Sequence, residues 1–378
     1  MVAQKELRSQ IRQYMTQLRK QAATVHQEKK STSHQQFEEV IFTETRKSYL
    51  NGKYVDRLVL FLRGTGCTWA KDNGGCTFCG FWNATNFGEK IPDEDYLQQV
   101  SRVLSDPQVG ADNYHIISLY NDGSLFEERE INFDVVLKIC QRITELPSLK
   151  RIVIETKVID IDENKIIALT DILGNIELEI AVGFESSNEM VRDICVNKNF
   201  SLPLFEEKVA LLKRHNVRLV PLIMLKPPFL NENMAIEDVM DSLVYLEAFN
   251  LPRIDFELAT IEEYTLMHDL WKLGLYTPPR LWSLHEVLDR REALGLTTQI
   301  YVSPPHYSVE ALAYSENCPD CNQKMKDAIH VFNRSQTVAA FEGITCKCKV
   351  SWEQNIQADV KSVNLLPHIQ STFQNLLQ

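Results

Sequence analysis

The sequence has no hydrophobic run long enough to cross a membrane. Apolar segments such as residues 219–225 are far shorter than the roughly 20 residues that a membrane-spanning helix needs. Residues 1–30 also lack the apolar core of a secretory signal peptide, because they are rich in Gln, Lys and Arg. From these two absences we expect no membrane partner and a cytoplasmic location.

Several common catalytic and cofactor-binding patterns are also missing. The chain contains no GxGxxG dinucleotide fingerprint and no Walker A loop. Its nine histidines show no metal-binding spacing, and they form no Ser/His/Asp arrangement that can be defended. What the sequence does have is nine cysteines, of which seven fall in two short clusters. In a cytosolic chain of this size, clustered cysteines favour metal binding over disulfides.

The chain has an excess of negative charge, and its first 30 residues are the exception. The net charge of −11 excludes a generally basic nucleic-acid binder, but residues 1–30 carry seven Lys and Arg against two Glu, a local charge of +5. Apolar residues at helical spacing predict a helix here, namely Leu7, Ile11, Tyr14, Met15 and Leu18. This arm has two interpretations: it contacts RNA phosphates, or it packs through its apolar face on the rest of the chain.

From residue 57 onward, short apolar segments alternate with amphipathic ones. The apolar segments are rich in Ile, Val, Leu and Phe, as expected for parallel strands that are buried on both faces. The predicted strands are 57–63, 114–120, 151–157, 177–185, 217–225 and 253–259. The predicted helices between them are 93–104, 133–145, 163–173, 204–215 and 235–249. This alternation predicts an α/β fold, a partial (β/α)6 barrel of the TIM type.

We expect three regions along the chain. Residues 1–50 form an N-terminal helical arm, residues 51–303 form the partial barrel, and residues 304–378 form a small C-terminal metal-binding module. An additional strand at 298–303 is expected to stand apart from the six strands of the barrel.

The first cysteine cluster directly follows the first predicted barrel strand. Cys67, Cys76 and Cys79 lie on a loop at the carboxyl end of that strand, which is where β/α barrels hold their active sites. Three thiolates are one ligand short of a saturated iron–sulfur cube. A [4Fe–4S] cluster held in this way keeps one iron open, and reductive cleavage of S-adenosylmethionine (SAM) requires such an iron. The spacing alone also permits a zinc site of three cysteines with a remote fourth ligand.

The second cysteine cluster has the composition of a structural metal site. Cys318 and Cys321 form one close pair, and Cys346 and Cys348 form another. Four thiols in two close pairs predict a tetrahedral zinc site that anchors a short module with little core of its own. An auxiliary iron–sulfur cluster and unmetallated cysteines are the alternatives.

The motifs around the first cluster resemble those of a known family. The Cys-x8-Cys-x2-Cys spacing resembles the expanded cysteine motif of radical SAM proteins related to the Elongator catalytic subunit. Segments 63–69 and 74–81 more narrowly resemble the archaeosine-forming radical SAM subfamily. Further segments are similar to the same subfamily in the same order: 182–185, 197–198, 225–229, 276–279 and 281–283. The resemblance covers roughly residues 57 to 352.

This resemblance implies roles for further residues. The implied cofactor-binding residues are Phe78, Asn121, Gly123, Ser124, Glu185 and Lys198. Lys198 would bind the SAM carboxylate, which suits the point charge of an ammonium group, and Glu185 would face a ribose hydroxyl or the substrate. Glu185 and Lys226, which end two predicted strands, are the expected catalytic residues.

The resemblance also implies an activity. The chain would cleave SAM to a 5′-deoxyadenosyl radical that abstracts a hydrogen from a lysine-bearing 7-deazaguanine in tRNA, where a C–N bond is then cut. The implied partners are an electron donor of the flavodoxin or ferredoxin type, tRNA and a partner subunit. Two alternatives remain: a radical SAM enzyme of small-metabolite or natural-product biosynthesis, and a non-catalytic metal-binding subunit that handles tRNA.

Overall fold

The computed structural model describes residues 2–30, 37–304, 311–359 and 364–378. The strands are β1 (Phe42–Leu50), β2 (Lys53–Phe61), β3 (Ile116–Tyr120), β4 (Arg151–Glu155), β5 (Glu177–Glu185), β6 (Arg218–Leu225), β7 (Ile254–Leu258), β8 (Ile261–Glu262), β9 (Ile300–Val302) and β10 (Ala311–Ala313). The helices are α1 (Val2–Lys30), α2 (Thr68–Asn73), α3 (Asp93–Ser105), α4 (Phe133–Thr144), α5 (Glu163–Leu173), α6 (Leu202–Arg214), α7 (Glu232–Glu247), α8 (Leu266–Lys272), α9 (Leu281–Ala293), α10 (Pro319–Ser335), α11 (Lys347–Asp359) and α12 (Leu365–Leu376). No helix among the described residues is long and apolar enough to span a membrane.

The main sheet follows the chain order from β1 through β7 and ends with β9. All neighbours from β2 onward are parallel, and helices α3 to α7 connect the strands. Every residue of β3 is buried, because helices cover one face of the sheet and the barrel interior covers the other. The predicted α/β barrel is therefore confirmed, and β5 has the predicted bounds, 177–185.

Two strands of the main sheet differ from the expectation. β1 was not predicted, and it pairs antiparallel with β2 over its whole length. Its charged residues interrupt the apolar pattern of a buried strand: Arg46 is buried and lines the barrel cavity, whereas Lys47 is exposed. The predicted strand at 298–303 does not stand apart, because β9 pairs parallel with β7 and extends the same sheet.

The two edges of this sheet are bridged by a side chain. Gln336, which follows α10, donates a hydrogen bond from Nε2 to the hydroxyl of Tyr49 on β1, at 3.0 Å. The same amide accepts from the backbone N–H of Ile300 on β9 at 2.9 Å and donates to its carbonyl at 2.8 Å. The C-terminal segment thus holds β1 and β9 near each other and brings the sheet towards closure.

Near the amino ends of the strands, the barrel interior is filled by ion pairs. Glu179 on β5 is fully buried and accepts hydrogen bonds from Arg253 at 2.9 Å and Arg218 at 3.1 Å. Arg151 lies 3.4 Å from the same carboxylate, and Arg253 also binds Asp255. These charged side chains fill the barrel at the amino ends of the strands, which we call the barrel floor. The open end of the barrel is therefore at the carboxyl ends of the strands.

The N-terminal arm is the predicted helix, and its apolar face packs on the barrel. Leu7, Ile11 and Met15 are buried in a cluster with residues of the barrel and of α12, including Met267 and Phe373. Of the two interpretations of the arm, the structure shows the packing one. Burying these side chains stabilises α1 against the barrel, because each apolar residue of this size contributes about 1.5–3 kcal/mol when removed from water.

Candidate functional site

The first cysteine cluster lies on the loop after β2, at the open end of the barrel. Cys67 immediately precedes helix α2, and Cys76 and Cys79 follow in the turns after this helix. The backbone N–H of Leu62 still bonds to the carbonyl of Tyr120 on β3, so the sheet extends to the start of the loop. All three cysteines are free thiols and are half-buried.

One cavity brings the three cysteines together with most of the predicted cofactor residues. It contains about 1330 Å³ of empty space, a volume that includes the open solvent at its mouth. The predicted site residues on its wall are Cys67, Cys76, Cys79, Phe78, Gly123, Glu185 and Lys198. The other two predicted cofactor residues, Asn121 and Ser124, are buried beside Gly123. Three thiols opening onto one roomy cavity suit a cluster with a further ligand beside it.

A buried carboxylate that the sequence did not reveal holds this wall in place. Glu130 accepts hydrogen bonds from the N–H of Thr68 at 2.7 Å and from the N–H of Ser124 at 2.6 Å. Its charge is balanced by Lys157, whose ammonium lies at 2.8 Å. Gly123 passes so close that a Cβ there would lie 2.0 Å from the carboxylate, so only glycine fits. Glu130 therefore ties the backbone after Cys67 to the segment that carries the predicted cofactor residues Gly123 and Ser124.

The predicted pair Lys198 and Glu185 forms an ion pair at the same cavity. The ammonium of Lys198 is 2.9 Å from the carboxylate of Glu185, and both groups line the cavity wall. Burial alone would lower the pKa of Lys198, but attraction to Cys76 and Glu185 outweighs burial and raises it. Lys198 is therefore a permanent cation within the cavity wall, next to the cysteines.

Lys226, the second predicted catalytic residue, occupies a different environment. It is buried, its ammonium lies 2.8 Å from Glu232, and it does not belong to the lining of the cysteine cavity. Glu232 also accepts from Ser283, which in turn accepts from the indole N–H of Trp352 at 2.9 Å. These contacts connect Lys226 to the C-terminal module and not to the three-cysteine loop.

The four C-terminal cysteines converge as the sequence predicted. The sulfur atoms of Cys318, Cys321, Cys346 and Cys348 all lie within 4.8 Å of one another. Cys318 is 3.3 Å from Cys346, and Cys321 is 3.5 Å from Cys348. The indole N–H of Trp282 donates to the sulfur of Cys348 at 3.2 Å. Four convergent sulfurs with a hydrogen-bond donor beside them are a suitable metal-binding group.

Fold and site together define a β/α barrel with a three-cysteine cavity at its mouth and a separate four-cysteine group near the C-terminus. No protein-family model matches the chain. The chain is similar to archaeosine synthase subunit beta from Methanosarcina acetivorans, with 27% identity over 83% of this chain and 89% of the relative. The subunit of the same name from Thermococcus kodakarensis is 24% identical over 83% of this chain and 95% of the relative.

These relatives confirm the resemblance to the archaeosine-forming subfamily that the motifs indicated. Among solved structures, the chain is similar to archaeal Elp3 from Methanocaldococcus infernus. That similarity has a TM-score of 0.46 and 17% identity, and it covers 67% of this chain and 60% of the other.

Proposed function

We propose that this chain is a radical SAM enzyme whose cluster is held by Cys67, Cys76 and Cys79. The observation that carries the proposal is the single cavity onto which the three thiols, Lys198 and Glu185 open. When bound there, a [4Fe–4S] cluster with one open iron supplies the electron that cleaves SAM to methionine and a 5′-deoxyadenosyl radical.

The protein residues bind and orient the cofactor and the substrate, and they exclude water from the site. Lys198 supplies a fixed positive charge for the SAM carboxylate, and Glu185 accepts hydrogen bonds from ribose or substrate hydroxyls. Gly123 allows the backbone turn of its strand to approach the bound cofactor closely. Phe78 and Phe81 form an apolar part of the wall and keep water from the reacting atoms. Of the two predicted catalytic residues, Glu185 is the better placed, because it lies in the cavity.

The test is cofactor cleavage by anaerobically reconstituted protein. The wild type should bind about four irons at this site and release 5′-deoxyadenosine from SAM when reduced. Replacing Cys67, Cys76 or Cys79 by Ala should abolish this release, whereas Cys140→Ala, at a buried position outside the cavity, should retain it. Release that persists in any of the three loop variants would refute the proposed cluster ligands.

For the substrate, we propose a lysine-bearing 7-deazaguanine in tRNA, with a second subunit as partner. The support is the name of the two relatives, each a beta subunit of archaeosine synthase. The reaction would begin with hydrogen abstraction from the lysine-derived side chain and end with cleavage of its C–N bond. The electron donor would be of the flavodoxin or ferredoxin type.

Binding of tRNA can be tested on the exposed face of α1. Lys5 and Lys20 are exposed, whereas Arg8, Arg12 and Arg19 form hydrogen bonds with the rest of the chain. If Lys5 and Lys20 contact phosphates, changing both to Gln should weaken tRNA binding and flatten its salt dependence by about one unit of slope per contact. A protein without tRNA affinity at low salt, with or without its partner subunit, would favour a small-molecule substrate.

For the four-cysteine group we propose structural zinc. A tetrahedral ion with bonds of about 2.3 Å holds its sulfurs about 3.8 Å apart. The sulfur of Cys318 lies 3.8 Å from that of Cys321 and 3.3 Å from that of Cys346, close to this value. An iron–sulfur cube binds each cysteine through a different iron and would hold the sulfurs farther apart. Metal analysis of protein loaded separately with zinc and with iron and sulfide distinguishes the two.

A further inference from the structure

The arginine side chains of α1 reach into the three-cysteine site. Arg19 is only 3% exposed, although it lies on a surface helix. Its guanidinium donates from Nε to the carbonyl of Gly74 at 3.0 Å, and from Nη2 to the carbonyls of Cys76 at 3.0 Å and Cys79 at 2.7 Å. A further contact joins Nη1 to the carbonyl of Tyr264 at 3.4 Å. One side chain thus fixes the backbone at two of the three cysteines.

These contacts satisfy a structural need of the loop. The segment from Gly74 to Cys79 is neither helix nor strand, so its buried carbonyls lack the partners that regular structure would supply. An arginine meets this need well, since its planar fork presents five N–H donors in fixed directions. Helix α1 can approach the loop this closely because residue 74 is glycine. A Cβ on Gly74 would lie 2.6 Å from the Cβ of Met15.

The same guanidinium is a buried charge without a carboxylate in salt-bridge contact among the described residues. Its four acceptors are neutral carbonyls, and burying a cation in this way is costly unless negative charge lies nearby. The groups that attract this guanidinium electrostatically are Cys79, Cys76, Cys67 and, on another segment, the buried carboxylate of Glu262. The three cysteines, as thiolates on an iron–sulfur cluster, would add negative charge to that of Glu262 and compensate the buried cation.

A second arginine of α1 secures the other end of the loop. Arg12 donates to the side-chain oxygen of Asn197 at 2.9 Å, and the amide of Asn197 donates to the carbonyls of Asn73 at 3.1 Å and Gly75 at 2.8 Å. One turn earlier, Arg8 donates to the carbonyl of Lys198 at 2.9 Å. Helix α1 therefore contacts both the cysteine loop and the segment that carries the predicted SAM-binding lysine.

We propose that Arg19 is a positioning residue of the cluster site, which holds the Cys76–Cys79 turn in place and stabilises the reduced, more negative cluster. The inference rests on the proposed function, since it requires a cluster at the three cysteines. It gives the basic face of α1 a role in the metal site that the composition of the arm did not indicate.

The test compares two substitutions of Arg19 with a matched control. Arg19→Met removes both the charge and the donors, and Arg19→Lys keeps the charge but loses the fork. Lys20→Met removes a neighbouring exposed cation and serves as the control. Two readouts are measured on reconstituted protein without turnover: the reduction potential by redox titration with electron paramagnetic resonance, and the rate of iron release to a chelator.

We expect Arg19→Met to lower the reduced-to-oxidised ratio of the cluster at least tenfold at a fixed potential, which is about 59 mV for a one-electron couple. It should also release iron faster. Arg19→Lys should restore most of the potential, because the charge remains, but not the slow iron release. Lys20→Met should match the wild type in both readouts.

Wild-type potential and wild-type iron release in a folded Arg19→Met would overturn the proposal. If that variant does not fold, Arg19→Lys decides, and iron release as slow as in the wild type would then overturn it. The two proposals can fail separately. If the Arg19 variants show these effects but the reconstituted wild type cleaves no SAM, the proposed function is refuted and the positioning role stands.

Discussion

Glu179 on the barrel floor is where the structure allows the sharpest prediction of stability. Its carboxylate is fully buried between Arg253, Arg218 and Arg151, and these arginines lower its pKa to about 2 although burial by itself would raise it. The ordinary value is 4.5, so the shift corresponds to about 3 kcal/mol of stability at neutral pH. This value agrees with the cost of about 3–5 kcal/mol that is found in other proteins when one partner of a buried ion pair is removed. We therefore expect Glu179→Gln to lower the free energy of unfolding by about 3 kcal/mol or more at pH 7.

The pH dependence gives a second measurement of the same effect. Because the folded-state pKa is depressed, the contribution of Glu179 is complete above the unfolded value and is lost as pH falls towards 2. Urea unfolding followed by tryptophan fluorescence should show a gap between the wild type and Glu179→Gln that narrows below about pH 4.5. The control is Glu163→Gln, which removes an exposed partner of Arg214 and should change little. Equal stability of Glu179→Gln and wild type at pH 7, or a gap independent of pH, would refute this account.

Two further predictions concern the cysteine sites. Cys321→Ser should lose the metal of the C-terminal group and lower the melting temperature without changing the absorbance spectrum of the first cluster; a change in that spectrum would show that the two sites are not independent. Glu130→Gln should speed iron release from the first site, because it removes the charge that holds the N–H groups of Thr68 and Ser124, whereas Glu128→Gln at an exposed position should not. Iron release at the wild-type rate in Glu130→Gln would contradict the role given to this carboxylate.

The sequence predicted those parts of the fold that depend on local patterns. Strand β5 could be delimited because most of its residues are apolar and buried, and the cysteine clusters could be found because their spacing is short. Strand β1 could not be predicted, because its charged residues break the apolar pattern. Arg46 pairs with Glu44 on the same strand, and Lys47 pairs with Asp56 on β2.

The same limit applies to the residues that support the site. Arg19 lies 57 residues from Cys76, and Glu130 lies 62 residues from Thr68, so no local pattern connects them. A lysine- and arginine-rich helix looks like a nucleic-acid contact until the fold shows which of its cations are buried. Lys198 and Glu185 could be predicted as site residues only from the family resemblance. In the structure, the ammonium of Lys198 lies 2.9 Å from the carboxylate of Glu185.

The bridge formed by Gln336 between β1 and β9 has a consequence for the chain during its synthesis. All strands of the main sheet are outside the ribosome once residue 302 has emerged, but the side chain that joins the two edges emerges only with residue 336. In that interval the nascent barrel presents two open edge strands, the kind of surface that pairs with other chains. Chaperone contacts on ribosome-bound chains should therefore be most frequent when the emerged part of the chain ends between these two positions, and they should fall once the bridge has formed.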